Sequence, residues 1–579
     1  MKKLSLQVMI SRFRKVLIRF PFSLSFIVGF AVLCFMSIQR VNVDIQERLW
    51  AFFGLGTLLN VAASLYLEDL KNSFQKVSLN VLVMIIFAVY CFTLPEKLME
   101  YQYYQLVSLG LVFTLAAFFI SFLHKNSEIP FWNFSKQSIL QLIITVVFAA
   151  VLYGGLGLAI LSLDKLFKIE ISSKVYGHLA VFSFVLFAPI YFLSNILDKI
   201  EKRKQEFTFE KIIKIFGLYI LLPILAIYTL ILYVYLIQIV IKWQLPNGWV
   251  STLVSVLGLG GFLCMLILHP LYLSNKNKVV DVFVKLFPVL LFPLLVLMSV
   301  GIYRRIADYD LTINRLYVMI LNLWFYGISI YLLISKAKQV KWIVISFATI
   351  TFLSSIGPWS VFSVTRNSLK TQLEKQLTVL HMLKDGKITP KQTQQKDTAT
   401  VQRTTETVRY LVLTYGAESM QPYFSNSLKN KHVYDILEQM NLNTNDIDVN
   451  RYFHLYLEND SCIFNTDSYP VFVNLNVLIS ESNTERAKNI CENSQLKVEF
   501  YNGDLLVTNK LIKNGTYTIA LRNKIKSLLK YNIEKVDSPE KMTMKAGNYK
   551  LILNTVSGKR NATKEGIELS NFDAYLFLK

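Results

Sequence analysis

The stretch FLSSIGPWSVFSVTRNSLKTQLEK, residues 352–375, decides how the chain is organised. A long apolar run reaches Gly357, Pro358 and Trp359, then turns polar within a few residues while leucines continue at helical spacing. From Lys341 to Gly357 a helix would rise about 25 Å, close to the thickness of a hydrocarbon core. Pro358 lacks the N–H that would bond back to Ser354, so a kink is expected there. Ser354 and Ser355 are placed to satisfy the freed carbonyls. Trp359 suits the membrane interface. The expectation is a kinked but continuous helix with its hinge at Gly357, Pro358 and Trp359. It would carry the apolar face of Phe362, Leu369 and Leu373 out of the bilayer.

Everything before this joint is apolar in long blocks. The chain has 579 residues, 53% of them hydrophobic. After residue 365 no run is long enough to cross a bilayer. Hydropathy predicts about eleven spanning helices, because a segment in hydrocarbon has to satisfy its own backbone groups. They lie near 21–39, 49–68, 77–94, 104–123, 138–163, 175–198, 212–241, 249–273, 281–303, 312–335 and 341–364. No small-residue cleavage site follows the first run, so it reads as a retained helix. The fold class is therefore a membrane all-α bundle followed by a soluble α+β domain. Its expected parts are a transmembrane domain over 1–364, a connecting amphipathic helix over 365–383, a polar linker over 384–403 and a soluble domain over 404–579.

The net charge of +22 raises the question of a nucleic-acid partner, and its location answers it. About +16 lies before residue 365 and about +6 after it. With the N-terminus in the cytoplasm, the cytoplasmic segments carry about 21 Lys and Arg against about ten on the other side. The richest loop, IEKRKQEFTFEK (200–211), falls inside. This is a positive-inside pattern, so no nucleic acid is expected. An odd number of spans then places the C-terminal domain outside the membrane. Cys34, Cys91 and Cys264 lie in apolar spans, whereas Cys462 and Cys491 are free to pair or not in an oxidising compartment.

Deep charges, the mark of ion-coupled transport, are scarce. Asp164, His178, Arg304, Arg305 and Arg315 fall near predicted helix ends, and His269 lies about a turn from one. Asn60, Asn322, Gln238 and tyrosines 228, 233 and 235 suit helix-to-helix hydrogen bonds. The clusters Gly154, Gly155, Gly157 and Gly258, Gly260, Gly261 read first as close-packing surfaces, and alternatively as breaks lining a cavity. KWQLPNGWVS (242–251) reads as a tight outer hairpin. In YRRIADYDLTINR (303–315), Asp310 or Thr312 is expected to cap the next helix. Arg304, Arg305, Asp308, Asp310 and Arg315 of this loop are the candidate interface or ligand residues.

Beyond the joint, a Lys-, Gln- and Thr-rich stretch leads to helices near 404–415 and 431–440. From about residue 450 short β-branched and aromatic runs alternate with Asn, Gly and Asp, predicting a mainly antiparallel sheet. No GxSxG, HExxH, Walker or zinc spacing occurs, so no catalytic residue, metal site or cofactor is expected. His454, on one of these strands, reads as structural. Asp446, Asp448, Glu458 and Asp460 do not match an EF-hand loop.

LPNGWVS, YDLTINR and SSIGPWSVFSVTRNSLKTQLEK together resemble the bacterial multi-pass membrane-protein family called domain of unknown function 4153. The resemblance implies an architecture and an inner-membrane location, and no catalytic residues. The function expected is a non-enzymatic binding, sensing or scaffold role, with the lipid bilayer as environment and an envelope protein or glycan as partner of the C-terminal domain. The alternative is a transporter or flippase for a lipid-linked or amphipathic substrate. A polar cavity at the bilayer midplane, lined by the glycine clusters, would favour that alternative.

Overall fold

The computed structural model describes residues 6–41, 45–123, 127–167, 171–198, 211–242, 249–274, 277–309, 311–390, 398–429, 431–442, 452–457, 471–478, 488–492, 494–501, 503–510, 515–529, 535–536, 538–561 and 566–579. Cys462, the acidic residues 446, 448, 458 and 460, the basic loop 200–210 and the turn 243–248 lie outside them. The chain divides into two compact units, Met1–Ile436 and Leu437–Lys579.

The first unit begins with an amphipathic helix, α1 (Leu6–Arg19), and continues through α2 (Pro21–Ile38), α3 (Gln46–Leu67), α4 (Ser73–Thr93) and α5 (Glu100–Phe119). Then come α6 (Glu128–Phe167), α7 (Lys174–Asn195), α8 (Lys211–Lys242), α9 (Trp249–Leu273), α10 (Lys278–Tyr309) and α11 (Ile313–Ile334). The ten helices α2–α11 are each long and apolar enough to cross a membrane, so this is a multi-pass membrane protein. Most of their bounds follow the hydropathy blocks within a few residues, but α6 begins ten residues before the block expected at 138–163 and α10 runs six residues past the one expected to end at 303. Two of them contain π-helical turns, Val181–Phe187 in α7 and Phe216–Leu221 in α8. Each turn includes the carbonyl (Val185, Tyr219) that Pro189 or Pro223, four residues on, cannot engage.

The eleventh apolar block forms a shorter helix, α12 (Lys341–Ser355). At one end the Lys341 ammonium donates to Ser127 Oγ (2.8 Å) and the Phe122 carbonyl (3.2 Å), and lies 3.7 Å from Glu128. At the other, the Ser355 carbonyl accepts from Gln105 Nε2 at 2.9 Å. Thus α12 runs antiparallel to α5, from the level of its end to that of its first turns.

At the joint the structure departs from the kinked continuous helix. α12 stops at Ser355, Ile356 is extended, and Gly357 takes φ +90°, a conformation that helices do not contain. A new helix, α13 (Val361–Val379), starts at the N-cap Ser360, whose hydroxyl accepts the Ser363 N–H at 3.3 Å. Trp359 is 64% exposed and lies against Gly357. The physical reason is that a left-handed glycine and an N-cap serine reset the chain direction, so Pro358 sits in a turn and not inside a helix.

α13 buries Leu369, Leu373 and Leu377. The stretch expected to be a polar linker opens with a short antiparallel hairpin, β1 (Leu383–Lys384) and β2 (Lys387–Ile388), and closes inside α14 (Thr398–Tyr415). Because α13 and α14 belong to the first compact unit, the division falls at Ile436/Leu437, within α15 (Val433–Gln439), and not where the apolar spans end.

Neutral polar residues hold the bundle together. Ser23 donates to Asn60 Oδ1 (2.6 Å), Asn60 Nδ2 to Asn80 Oδ1 (2.6 Å), and Asn80 Nδ2 to Ser64 (3.2 Å), joining α2, α3 and α4 in a buried network. Asn322 donates to Ser299 (2.6 Å), tying α11 to α10. Tyr228 and Tyr233 of α8 donate to the carbonyls of Leu253 and Leu290. His269 is buried against the Ala337 carbonyl at 3.1 Å, a structural contact. The two glycine clusters behave differently. Gly258 and Gly261 lie under the rings of Phe325 and Phe287, as close packing requires. Gly154, Gly155 and Gly157 face open space, so the close-packing expectation fails for them.

In the second unit, β4 (Val471–Leu478), β12 (Gly566–Leu578), β11 (Tyr549–Asn561), β3 (Tyr452–Leu457) and β9 (Lys535–Val536) form one sheet in that order, with β10 (Thr543–Ala546) also pairing β11. A second sheet is a meander of β5 (Lys488–Glu492), β6 (Leu496–Tyr501), β7 (Asp504–Asn509) and β8 (Thr516–Ile519). Every described pairing is antiparallel except β3–β9. Both sheets share one core with α16 (Leu521–Leu529), and Phe500 meets Phe572 across it at 5.8 Å. The α+β class is thus observed. His454 stands exposed on β3, 2.6 Å from Ser557 on the neighbouring strand.

Candidate functional site

Charged groups converge where the first turns of α5 and α11 meet α14. The sequence of α14 sets this up: in VRYLVLTY, Tyr410 and Thr414 are one helical turn apart and share a face, with Tyr415 beside them. That face lands on the bundle. The Ile313 N–H, the first of α11, donates to Tyr410 Oη at 3.2 Å. Thr414 Oγ1 donates to Glu100 at 3.4 Å, and Tyr415 Oη donates to the Phe362 carbonyl at 2.9 Å. The Tyr415 ring packs on Tyr101 with centroids 5.1 Å apart. Glu100 sits in the first turn of α5, where the helix dipole favours a carboxylate, and accepts from Tyr104 at 3.1 Å.

The capping expectation changes accordingly. Thr312 occupies the N-cap of α11 but its side chain makes no cap bond, and Asp310 lies outside the described residues. The phenol of Tyr410, from another helix, takes the orphan N–H instead. Burial pushes that phenol above its ordinary range; the Ile313 N–H opposes the shift and the Glu100 carboxylate adds to it. Burial likewise raises Tyr415. Both stay protonated near neutrality.

Around these contacts lies a cleft of about 360 Å³, lined by Glu100, Tyr104, Ile313, Asn314, Glu406, Arg409, Tyr410, Leu413 and Thr414. Arg409 is half-buried and has no hydrogen-bond or ion-pair partner among the described residues. Glu406 is exposed and accepts from Gln402. The cleft has the chemistry of a binding site: one available guanidinium, two carboxylates, and phenol, amide and hydroxyl groups at the rim.

From the candidate loop 303–315, the cleft takes Ile313 and Asn314. Arg304 and Arg305 stand exposed at the end of α10, and Arg315 is half-buried in the first turn of α11; none of the three lines the cleft. The side chain of Asp308 lies outside the described residues. Sequence reading missed Glu100, Glu406 and Arg409, because α14 was placed in a separate domain. The spacing of Tyr410 and Thr414 was the available signal. Among the described residues, no cluster of His, Cys, Asp and Glu is arranged to hold a metal ion.

A family model described as domain of unknown function 4153 matches residues 17–385. An uncharacterized protein of Pasteurella multocida (strain Pm70) is 25% identical over 277 residues, covering 47% of this chain and 46% of the relative. The matched stretch thus spans less than half of that relative's length. No solved structure matches.

Proposed function

The chain belongs to the family described as domain of unknown function 4153, and on that footing we propose that it is a non-enzymatic envelope protein that binds or senses a partner. The cleft between α5, α11 and α14 is the docking point. The observation that carries this reading is Arg409, an available cation held in a cleft whose wall, α14, is bonded directly to the first turns of two spans. Anything that engages α14 therefore loads the bundle without an intervening linker. A guanidinium takes carboxylate or phosphate in paired hydrogen bonds. Glu100 and Glu406 repel densely anionic ligands, so the fitting partner is a peptide or glycan with a single acidic group.

The transport alternative draws less support. Two cavities among the described membrane-spanning helices are lined almost wholly by apolar side chains, and neither glycine cluster lines these two. The proposed location is the bacterial inner membrane, with the N-terminus cytoplasmic by the lysine and arginine bias. Counting α12 as an eleventh crossing puts the cleft and the C-terminal unit on the extracytoplasmic side.

Two experiments test this. A photocrosslinking amino acid at Leu413, an exposed cleft residue, is introduced into the full chain in its native membrane. A discrete envelope adduct, lost in Arg409→Glu at equal protein level, is expected; an adduct pattern indifferent to that substitution refutes the site. Reporter fusions at residues 205 and 400 should report opposite sides, and a shared side overturns the outward cleft.

A further inference from the structure

A second cavity lies in the membrane-embedded part of the first unit, away from the cleft. It is a groove of about 410 Å³ between α2, α3, α5, α6 and α7, within the size range of small-ligand pockets. Its floor includes Val61, Leu65, Leu193 and Ile196, all buried. Its rim includes Leu142 (47% exposed), Val146 (53%) and Phe184 (42%), so it opens sideways onto the surface that faces lipid. The three threonine hydroxyls on its wall are used within their own helices: Thr57 donates to the Phe53 carbonyl, Thr114 to Gly110 and Thr145 to Gln141, at 2.7–2.8 Å. The π-helical turn of α7 contributes Phe184 to the rim.

One end of the groove is closed by basic groups. At Ile196, Arg19 donates to the carbonyls of Ile196 (2.8 Å) and Leu197 (2.6 Å) and pairs with Glu68 at 2.5 Å. Val16 and Phe20 pack in the same buried cluster as Leu65 and Ile196, which fixes α1 at this end. Arg12, Lys15 and Arg19 share one face of α1. Lys15 lies 3.7 Å from Asp198, whereas exposed Arg12 and Arg14 have no hydrogen-bond or ion-pair partner among the described residues. Phe13, Leu17 and Ile18 are exposed beside them, the mixture of an interfacial helix that lies among lipid headgroups.

We propose that this groove holds one acyl chain of an anionic phospholipid whose headgroup sits against Arg12, on the face of α1 that also carries Lys15 and Arg19. The apolar trench and the basic helix at its end are two halves of one lipid site. The proposal is independent of the partner-binding cleft.

The test uses the full chain, delipidated in detergent and titrated with dioleoyl phosphatidylglycerol or dioleoyl phosphatidylcholine, with bound lipid read by native mass spectrometry. Phosphatidylglycerol should bind first and more tightly, with a preference that fades at high salt. Arg12→Ala should weaken phosphatidylglycerol roughly fivefold, from the usual worth of a basic residue near an anionic surface, and leave phosphatidylcholine nearly unchanged, whereas Arg14→Ala, on the opposite side of α1, should change neither. Leu142→Trp, which fills the groove from its exposed rim, should weaken both lipids. Val146→Trp gives the same reading if that variant folds poorly. Equal affinity for the two lipids in the unaltered chain, or first-lipid binding indifferent to both rim substitutions, overturns the proposal.

Discussion

Replacing Gly357 by Ala isolates what makes the joint. At φ +90° an L-residue is strained whatever space surrounds it, at a cost of about 1–3 kcal/mol. A Cβ there would also lie 3.1 Å from the Trp359 ring. Because that ring is 64% exposed and can swing into solvent, the contact adds little, and the backbone term decides the outcome. We expect a loss of about 1–2 kcal/mol. Gly386→Ala is the matched control: φ is +74° with nothing within 4 Å, so it carries strain without the ring. Pro358→Ala should cost only about 0.4–1 kcal/mol, through unfolded-chain entropy, and should leave the helix break in place. Unfolding in detergent can be followed with a thiol-reactive fluorophore in a background with Cys34, Cys462 and Cys491 replaced by Ser, since Cys91 and Cys264 are fully buried and react only when the bundle opens. A Gly357→Ala chain as stable as the original, or a Pro358→Ala structure with one straight helix from 341 to 379, would refute the reasoning.

Other expectations follow from buried groups. Lys341→Met removes the ammonium beside Glu128 and leaves that carboxylate with the residue-341 backbone N–H, at a site where the two side chains are 4% and 12% exposed; a loss of about 3–5 kcal/mol is expected, largely recovered by adding Glu128→Gln. Thermal unfolding of the single and double variants checks this, and a single variant as stable as the double contradicts it. Asn60→Leu deprives Ser23 and Asn80 of partners and should cost about 0.6–2 kcal/mol, read in the same assay. Tyr415→Phe removes the bond to the Phe362 carbonyl and should cost about 0.5–1.5 kcal/mol, with α14 losing hydrogen-exchange protection before the spans do. Burial raises Tyr410 and Tyr415, so the folded chain keeps these protons longer than the unfolded one. Their contribution is therefore complete below about pH 10 and falls as pH rises beyond it. The protection of α14 relative to the intrinsic, base-catalysed exchange rate should fall across that range, and a protection that stays constant would count against the buried docking.

The spans were legible because each one answers to a local rule: hydrocarbon demands about 20 apolar residues with self-satisfied backbones. The antiparallel strands were legible through period-two alternation. At the joint, the same apolar continuity misled. Gly-Pro followed by Ser360 carried both a stop and a start signal, yet the unbroken hydrophobic run suggested a bent helix. Other features depend on distant partners and have no local signature. The capping of α11 by Tyr410 bridges 97 residues of chain. Gly154 and Gly258 sit in similar apolar contexts, but which one meets a neighbouring ring depends on how the helices are turned. The candidate loop was near the right place, because it feeds Ile313 and Asn314 into the cleft, while the cation came from a helix assigned to another domain.

The asparagine network also constrains biogenesis. Asn60 belongs to the second long span, and one of its partners, Ser23, is already in place when it enters the membrane, but Asn80 arrives only with the third. Until then the Oδ1 of Asn60 is engaged by Ser23 and Ser64, while its Nδ2 faces a medium with nothing to donate to. The first three spans are thus held to a common schedule: α2 and α3 gain their final rotational setting only once α4 has emerged. A chain truncated between residues 68 and 73 should insert and remain protease-accessible, its helices threaded but not yet locked.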